Sequence, residues 1–315
     1  MAVTLVEAAK LSTTSLQRGV IETFVQESSV LDRIPFMTIE GNAYGYNEEG
    51  TLPGVAFRAV NEAYVESTGT VNQKSESLVI LGGDADVDNF IIKTRGNLND
   101  QRATQTRLKV KAASYYFQDQ FFNGDVAVTP KGFDGLKKRL VGAQVIDAAT
   151  NGMGPVAGGH DFFDVLDRGI AAVPGINASN GVIYANSAAI ARIKSSGRRL
   201  GGVDMVREAL TQKMVQTYNG IPVLDPGQTA AGVDILPQTE TQGSASGTAS
   251  SIYIVKFGQD EGDRAVTGLT NGGVQVKDLG ELQEKPAYRT RIEFYTGLAV
   301  FGGKAAARIR GVLNA

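Results

Sequence analysis

Two stretches of the chain carry apolar residues at helical steps, and between them the spacing changes to alternation. Leu16, Val20 and Phe24, with Ile21 alongside, share one stripe, behind capping-box pairs at Thr4/Glu7 and Thr14/Gln17. This predicts a helix ending near Ser28. Pro35 forbids helix through Ile34, so the segment that follows turns extended. The second stretch predicts a helix over 99–122. Ala103, Thr106, Val110, Ala113, Phe117 and Phe121 repeat at three- and four-residue steps, with Leu108, Ala112 and Tyr115 widening the stripe. Asn123-Gly124 stops it, and at 1.5 Å per residue it spans about 35 Å.

Between the two lies Glu40–Glu76, rich in Gly, Glu, Asn and Thr. Tyr44 and Tyr46 alternate with polar or small residues, as do Val55, Phe57 and Ala59. The pattern is strand-like, but it holds too few large apolar residues to build a core. A two-stranded ribbon is marginal alone, so this one needs a surface to lie against. Residues 77–95 have strand character at both ends, with Asp84, Asp86 and Asp88 on one face.

From about 135 short helices and strands alternate. FFDVLDRGIAAV behind Asp161, SAAIARIKSS behind Asn186, and MVREALTQKMVQ read as helices; GVIYA, GIPVL, VDILP and IYIVKF read as strands. The Gly/Ser/Thr-rich segment 238–251 reads as a mobile surface loop. Past 264 the chain is strand-like again. There Tyr288, Thr290, Ile292 and Phe294 alternate with Arg289, Arg291 and Glu293, giving one apolar and one charged face. The fold class is α+β.

Composition narrows the chemistry. Hydrophobic residues make up 42% of 315, enough for a sizeable core. There is no cysteine and one histidine, His160, which excludes disulfides, thiolate nucleophiles and multi-histidine metal sites. Lys and Arg number 31 against 33 acids, a net charge of −2, which argues against a dedicated basic surface for nucleic acid. The N-terminus lacks the pattern of a signal peptide, and no apolar run is long enough to span a membrane.

The motifs that approach chemistry all fall short. DADVD opens like a calcium loop, but Asn89 stands where the turn needs glycine and Arg95 where it needs a bidentate glutamate. GLAVFGGKA (297–305) places its lysine one residue late for a phosphate loop, and Ala305 replaces the hydroxyl that would meet magnesium. His160 follows a Gly/Pro-rich stretch with no partner for general-base catalysis, and Arg198-Arg199 complement a helix end. No catalytic, cofactor-binding or metal-ligating residue is expected. A docking arm and an extended ribbon without a core are of little use to a monomeric enzyme. An assembling protein needs both.

LQRGVIETFVQESSVLDRIPF, GNAYGYNEEGTLPGVAFRAVNEAYVES, FDGLKKRL and EKPAYRTRIEFYTGLAVFGGKAAARI together resemble the major capsid proteins of tailed bacteriophages with the Hong Kong 97 fold. The resemblance runs in order along essentially the whole chain. It implies an N-terminal arm over 1–36, an E-loop over 37–76, and a P-domain over 77–134 with its spine helix at 99–122. An A-domain over 135–263 follows, then a return of 264–315 to P-domain strands and the C-terminus. Pentamers and hexamers of the chain would close an icosahedral shell around double-stranded DNA, contacted weakly and without sequence preference.

Implied partners are further copies of the chain, a separate scaffolding protein if any, and portal and decoration proteins; no membrane and no cofactor is implied. The protein would sit in the virion after assembly in the host cytoplasm. Implied interface residues are Leu16, Arg18, Glu22 and Phe24 in the arm and Tyr44, Tyr46, Pro53, Val55, Phe57 and Arg58 in the loop, whose bend is expected at Gly50, Pro53 and Gly54. Val110, Ala113, Phe117 and Phe121 form the core of the spine helix. Some relatives lock subunits covalently through an E-loop lysine. Here the only lysine between Gly41 and Ile92 is Lys74, near the loop base, so a non-covalent lattice is expected. An encapsulin-type compartment, which shares the fold and encloses a cargo enzyme, is the alternative.

Overall fold

The computed structural model describes residues 28–95, 101–148, 160–199, 205–207, 214–242 and 245–313. The expected arm helix, with Leu16, Arg18, Glu22 and Phe24, lies outside them.

Two sheets share a continuous core. The first has four strands: β1 (Phe36–Thr38), β4 (Val79–Asp88), β12 (Val266–Glu281) and β13 (Ala287–Val300), in the order β1-β12-β13-β4. Only β1 runs parallel to its neighbour, placing Phe36 opposite Gly268. The Phe36 ring lies so close that a Cβ at Gly268 would meet it at 2.5 Å. Across this sheet lies α2 (Gln101–Asn123). Val110, Phe117 and Phe121 are fully buried, and Ala113 packs partly buried against the same cluster. The Phe117 ring sits 6.2 Å from Phe36 and 6.1 Å from Phe294.

The buried face of α2 is not the stripe the apolar residues alone suggest. Ala103 and Leu108 are exposed, while Ser114 and Gln118 are buried. Both polar side chains are satisfied where they lie: Ser114 Oγ donates to the Lys111 carbonyl at 2.9 Å, and Gln118 Nε2 donates to the Pro226 carbonyl. A satisfied polar group can occupy a core face that a sequence pattern assigns to leucine.

The charged face of β13 pairs across the strand. Arg291 lies opposite Asp84 and Arg289 opposite Asp86, each pair joined by two hydrogen bonds of 2.6–2.9 Å. Lys285 adds a bond of 2.5 Å to Asp86. Of the three aspartates that alternation puts on one face, two form an ion ladder. Asp88 instead caps α1 (Asn89–Arg95), accepting from Phe90 N at 2.7 Å, so the strand expected there is a short helix. Hydrogen bonds from Arg291 and Arg289 hold the Asp84 and Asp86 carboxyls below the usual carboxylate range. Depressed in the folded state, they contribute stability above the ordinary value of 3.8 and lose it as pH falls through the folded values. The Asp84→Asn/Asp86→Asn double variant should therefore melt lower at neutral pH. Its melting temperature should then fall less steeply than the parent's below pH 3.8. Parallel melting curves across that window would refute the ladder's contribution.

The second sheet runs β5-β14-β11-β6-β9-β8-β7, with β10 (Glu240–Gln242) also on β11. Its strands are β5 (Val145–Asp147), β6 (Gly181–Tyr184), β7 (Met205–Arg207), β8 (Met214–Tyr218), β9 (Ile221–Leu224), β11 (Ala245–Lys256) and β14 (Ala306–Leu313). Alternation divides its two faces. Ile183, Ile252, Ile254 and Ile309 pack with Phe162, Leu166 and Ile193 of α4 (His160–Ala171) and α5 (Ser187–Arg199). Tyr184, Tyr253 and Val255 face Phe121 and Phe122 at the end of α2. Asn186 caps α5, accepting from Ala189 N at 2.8 Å.

Four expectations are corrected here. Residues 264–315 do not all return to the first sheet, because β14 joins β11 and β5 in the second. MVREALTQKMVQ is not a helix at either end. Met205 pairs antiparallel with Gln216, and β8 then turns into β9 through Asn219-Gly220, at φ +50° and +77°. Two positive φ values in a two-residue loop define the hairpin turn that Asn-Gly favours, and that turn overrides the helical spacing. Segment 238–251 supplies β10 and most of β11 rather than a loop; Ser250 Oγ bonds the Leu236 carbonyl and Ser251 Oγ bonds Glu240 at 2.7 Å. VDILP forms no named strand: Ile235 and Leu236 plug the core, beside an isolated bridge from Asp234 to Gln228.

Candidate assembly surface

The Gly/Glu-rich segment forms a hairpin of β2 (Ala43–Glu49) and β3 (Val71–Ser77), with Tyr46 opposite Lys74 and Glu49 opposite Val71. Period-two alternation puts Tyr44, Tyr46 and Glu48 on one face. That face lies on the chain's own body. Tyr46 is only 4% exposed, its ring edge-on to Phe301 at 4.9 Å, in a cluster with Ile39, Leu269 and Ala299. Tyr44 packs partly buried beside it, 6.3 Å ring to ring, and its hydroxyl donates to Glu261 at 3.3 Å. Burial, with help from Glu76, pushes the Tyr46 phenol up to about 12, and its hydroxyl donates to the Val300 carbonyl. Tyr46 was expected to meet a neighbouring subunit; it is already buried in its own.

Charge pairs flank this anchor. Arg139 grips Glu76 with two bonds of 2.5 and 2.7 Å, both side chains only 16% exposed. Lys74 meets Glu48 at 2.5 Å, and Arg264 meets Glu49 at 3.1 Å in the open. Truncation of Tyr46 to alanine should remove about 2–4 kcal/mol from the docking of the hairpin, on the order of a hundredfold in its detached population. Limited proteolysis should then cut faster within 43–77 while the rest of the chain resists. Unchanged cutting there would show that Phe301 and Tyr46 do not hold the hairpin down.

Beyond the anchor, residues 50–70 belong to no strand. The two arms are stitched near the base, where Gly50 N donates to Thr70 O at 2.8 Å and Thr70 N donates to Thr51 O at 2.9 Å. Farther out Ser67 Oγ donates to Gly54 O at 2.9 Å. The chain reverses at Ala59–Glu62, not at the expected Gly50, Pro53 and Gly54, which lie along the outgoing arm. Asn61 takes φ +71°, Glu62 accepts from Ala59 N at 2.9 Å, and Arg58 lies over the Tyr64 ring at 5.2 Å. Arg58, expected to pair with a neighbour, also donates to the Glu62 carbonyl at 3.3 Å within its own loop.

What the loop leaves bare is apolar. Val55 is 95% exposed and Phe57 entirely so, with Leu52, Val60, Tyr64 and Val65 also exposed. Gly54, Val55, Ala56, Tyr64, Val65 and Ser67 line an open hollow of about 540 Å³. Scattered exposed apolar residues are ordinary, but six within fourteen positions of one projecting segment make it the candidate interaction surface of the described residues. The sequence reading found Val55 and Phe57 by their alternation. It missed Leu52, Val60, Tyr64 and Val65, and Phe90 on α1, because single apolar residues in polar surroundings carry no period.

The near-miss motifs resolve structurally. Gly302 and Gly303, at φ +76° and +63°, make the turn from β13 into β14, and Ala305 beside them is fully buried. His160 begins α4. Among the described residues no group of three or more His, Cys, Asp or Glu is placed to hold a metal ion, and no helix is long and apolar enough to cross a membrane.

Residues 13–157, just under half of the chain, match the family described as Major capsid protein GP7. Among solved structures, the SrpI encapsulin complex of Synechococcus elongatus PCC 7942 superposes with a TM-score of 0.67 at 19% identity, covering 98% of this chain and 95% of that one. The capsid of a native GTA particle gives 0.64 at 13% identity over 91% and 90%. A structure from Mycobacterium phage Bobi gives 0.57 at 14% over 90% of each chain. The chain has the Hong Kong 97-type fold. No protein of curated function matches the sequence.

Proposed function

We propose that this chain is the major capsid protein of a tailed-phage head, assembling through pentamers and hexamers into an icosahedral shell around double-stranded DNA. The observation that carries this reading is the contrast within one hairpin. Its base is buried and ion-paired in its own subunit, while its tip offers Leu52, Val55, Phe57 and Val65 to a neighbour. Residues 1–36, 37–76, 77–134 and 135–263 then serve as arm, E-loop, P-domain and A-domain. Residues 264–315 are divided between the P- and A-domains by β14. Val55, Phe57 and Pro53 are the loop's interface residues. The role is structural, not enzymatic, with assembly in the host cytoplasm and residence in the virion. Portal, scaffolding and decoration proteins would be its further partners. With 31 cations against 33 acids, contact with packaged DNA is weak and salt-sensitive.

Light scattering and negative-stain microscopy of the purified protein test the assembly: shells or five- and six-copy rings are expected. A lone 33.3 kDa species at every concentration and salt would end this reading. The encapsulin alternative is supported by the 98% coverage of the SrpI match. The contents of purified particles decide between them, since nuclease-protected DNA marks a head and a packaged foreign enzyme marks a compartment.

The lattice is expected to be non-covalent. Lys74, the only lysine between Gly41 and Ile92, is held by Glu48 within the hairpin ladder, away from the tip. Particles boiled in detergent should run as one band near 33.3 kDa. A ladder of oligomers that vanishes in Lys74→Ala would show that the shell is cross-linked after all.

A further inference from the structure

The β2–β3 hairpin and helix α1 lie at opposite ends of one line along β13. β4 pairs with β13 from Val79, opposite Thr296, to Asp88, opposite Ala287. The hairpin continues that line past Thr296. A Cβ on Gly297 would meet the Ser77 carbonyl at 3.1 Å, and Tyr46, opposite Lys74, lies on Phe301. The loop 50–70 therefore projects from one end, while α1, capped by Asp88, sits at the other. At about 3.3 Å per strand residue, Val71 and Asp88 are on the order of 50 Å apart. Each end carries half of a contact. The loop holds the open apolar hollow of about 540 Å³, lined by Val55, Ala56, Tyr64 and Val65 among others. At the far end Phe90 is 73% exposed, the barest aromatic ring among the described residues outside the loop, with Ile91 exposed beside it.

We propose that Phe90 of one copy fills the loop hollow of a second copy, with Lys93 of the first beside Glu66 of the second. This rests on the shell-forming reading and names the surface that the loop meets. Length excludes the same contact within one chain, because hollow and ring stand at opposite ends of it. Charge fits the pairing. From Glu62 to Ser67 the returning arm of the loop holds Glu62 and Glu66 and no cation. Helix α1 presents the exposed Lys93 one turn beyond Phe90. The start of α2 lies at the same end, where Arg102 bonds Asp278 and covers the Tyr288 ring, and its first seven residues hold Arg102 and Arg107 and no acid. The acids beside α1 are engaged, Asp88 by the Phe90 amide and Glu281 by Asn89. Seating Phe90 against Tyr64 and Val65 takes apolar surface on both copies out of water and pairs two rings. The two halves are different patches, so the contact runs head to tail. It passes from copy to copy until a ring closes.

The absence of cysteine makes the test clean. Ala56→Cys/Ile91→Cys and Ser67→Cys/Lys93→Cys double variants keep Phe90 in place. Assembled particles of each are treated with a short bis-maleimide, which tolerates small misplacements of the two thiols. Each double variant should give a ladder of linked copies climbing past the dimer on a denaturing gel. The four single variants should run as monomers. Assembled particles without a ladder, a ladder that stops at the dimer, or linkage in the single variants would overturn the contact. A parent protein that never leaves 33.3 kDa would instead sink the assembly reading, and the contact with it. Where the cysteine variants do not assemble, two further measurements decide. Phe90→Ser should leave the melting temperature of the unassembled subunit unchanged and abolish particles; normal particles from it would refute the contact. Glu66→Lys and Lys93→Glu should each raise the subunit concentration needed for assembly roughly fivefold at low salt, and their combination should restore it. A combined variant that adds the two defects would overturn the pairing.

Discussion

A chain in which residues 50–70 are replaced by Asn-Gly, joining Glu49 directly to Val71, should fold normally and fail to form closed shells. Glu49 and Val71 are already opposite one another in the ladder, so a two-residue turn closes the hairpin without changing its register. The contacts that hold the hairpin to the body lie below the cut: Tyr46 on Phe301, Arg139 on Glu76, Arg264 on Glu49. The removed segment contributes nothing to the three core clusters. Circular dichroism and melting temperature should match the parent, while microscopy shows no closed particles. Each large apolar side chain that a neighbour would cover contributes about 1.5–3 kcal/mol of burial, and the exposed set supplies several per contact. The Val55→Asp/Phe57→Asp double variant should give the same result with the loop's length kept. Normal closed particles from either protein would remove the loop tip from the assembly mechanism.

The arrangement of that hairpin shows how far a sequence can be read. Alternation at Tyr44 and Tyr46 identified a ribbon and its two strands. It could not say which face would be covered by the same chain, because the cover is Phe301, some 250 residues away. The tip posed the reverse problem. Gly50, Pro53 and Gly54 look like a bend, yet the chain turns at Ala59–Glu62, where Asn61 takes a positive φ and Arg58 bonds across the turn. In the second sheet, local helix spacing lost to strand pairing at 205–207 and 214–216, and the Asn219-Gly220 turn that follows was visible in the sequence but outweighed by the apolar spacing before it. The long helix was legible because its period is sustained over twenty residues. Its buried polar members, Ser114 and Gln118, were not: Ser114 bonds the Lys111 carbonyl within the helix itself, and the Pro226 carbonyl that takes Gln118 is brought near only by the fold.

The aspartate scan that disables the loop should act in the opposite way on the helix. Phe117→Asp is expected to prevent folding. The Phe117 ring is fully buried, within 6.2 Å of Phe36, Phe133 and Phe294, and so joins β1, β13 and the segment after α2 in one cluster. Truncating such a ring to alanine costs about 3–5 kcal/mol. A carboxylate at the same place must either lose its hydration or take up a proton, which adds several kcal/mol more. A domain whose whole stability is about 5–15 kcal/mol does not survive both losses. The protein should appear in inclusion bodies, or as a soluble species without a cooperative melt. Phe117→Ala, by contrast, should stay folded with a clearly lowered melting temperature. Because Phe57 is fully exposed and Phe117 fully buried, one substitution type separates the two roles of phenylalanine in this chain: at 57 the subunit survives and the shell is lost, at 117 the subunit itself is lost. Soluble, cooperatively melting Phe117→Asp protein would mean that α2 is not the element on which the first sheet is built.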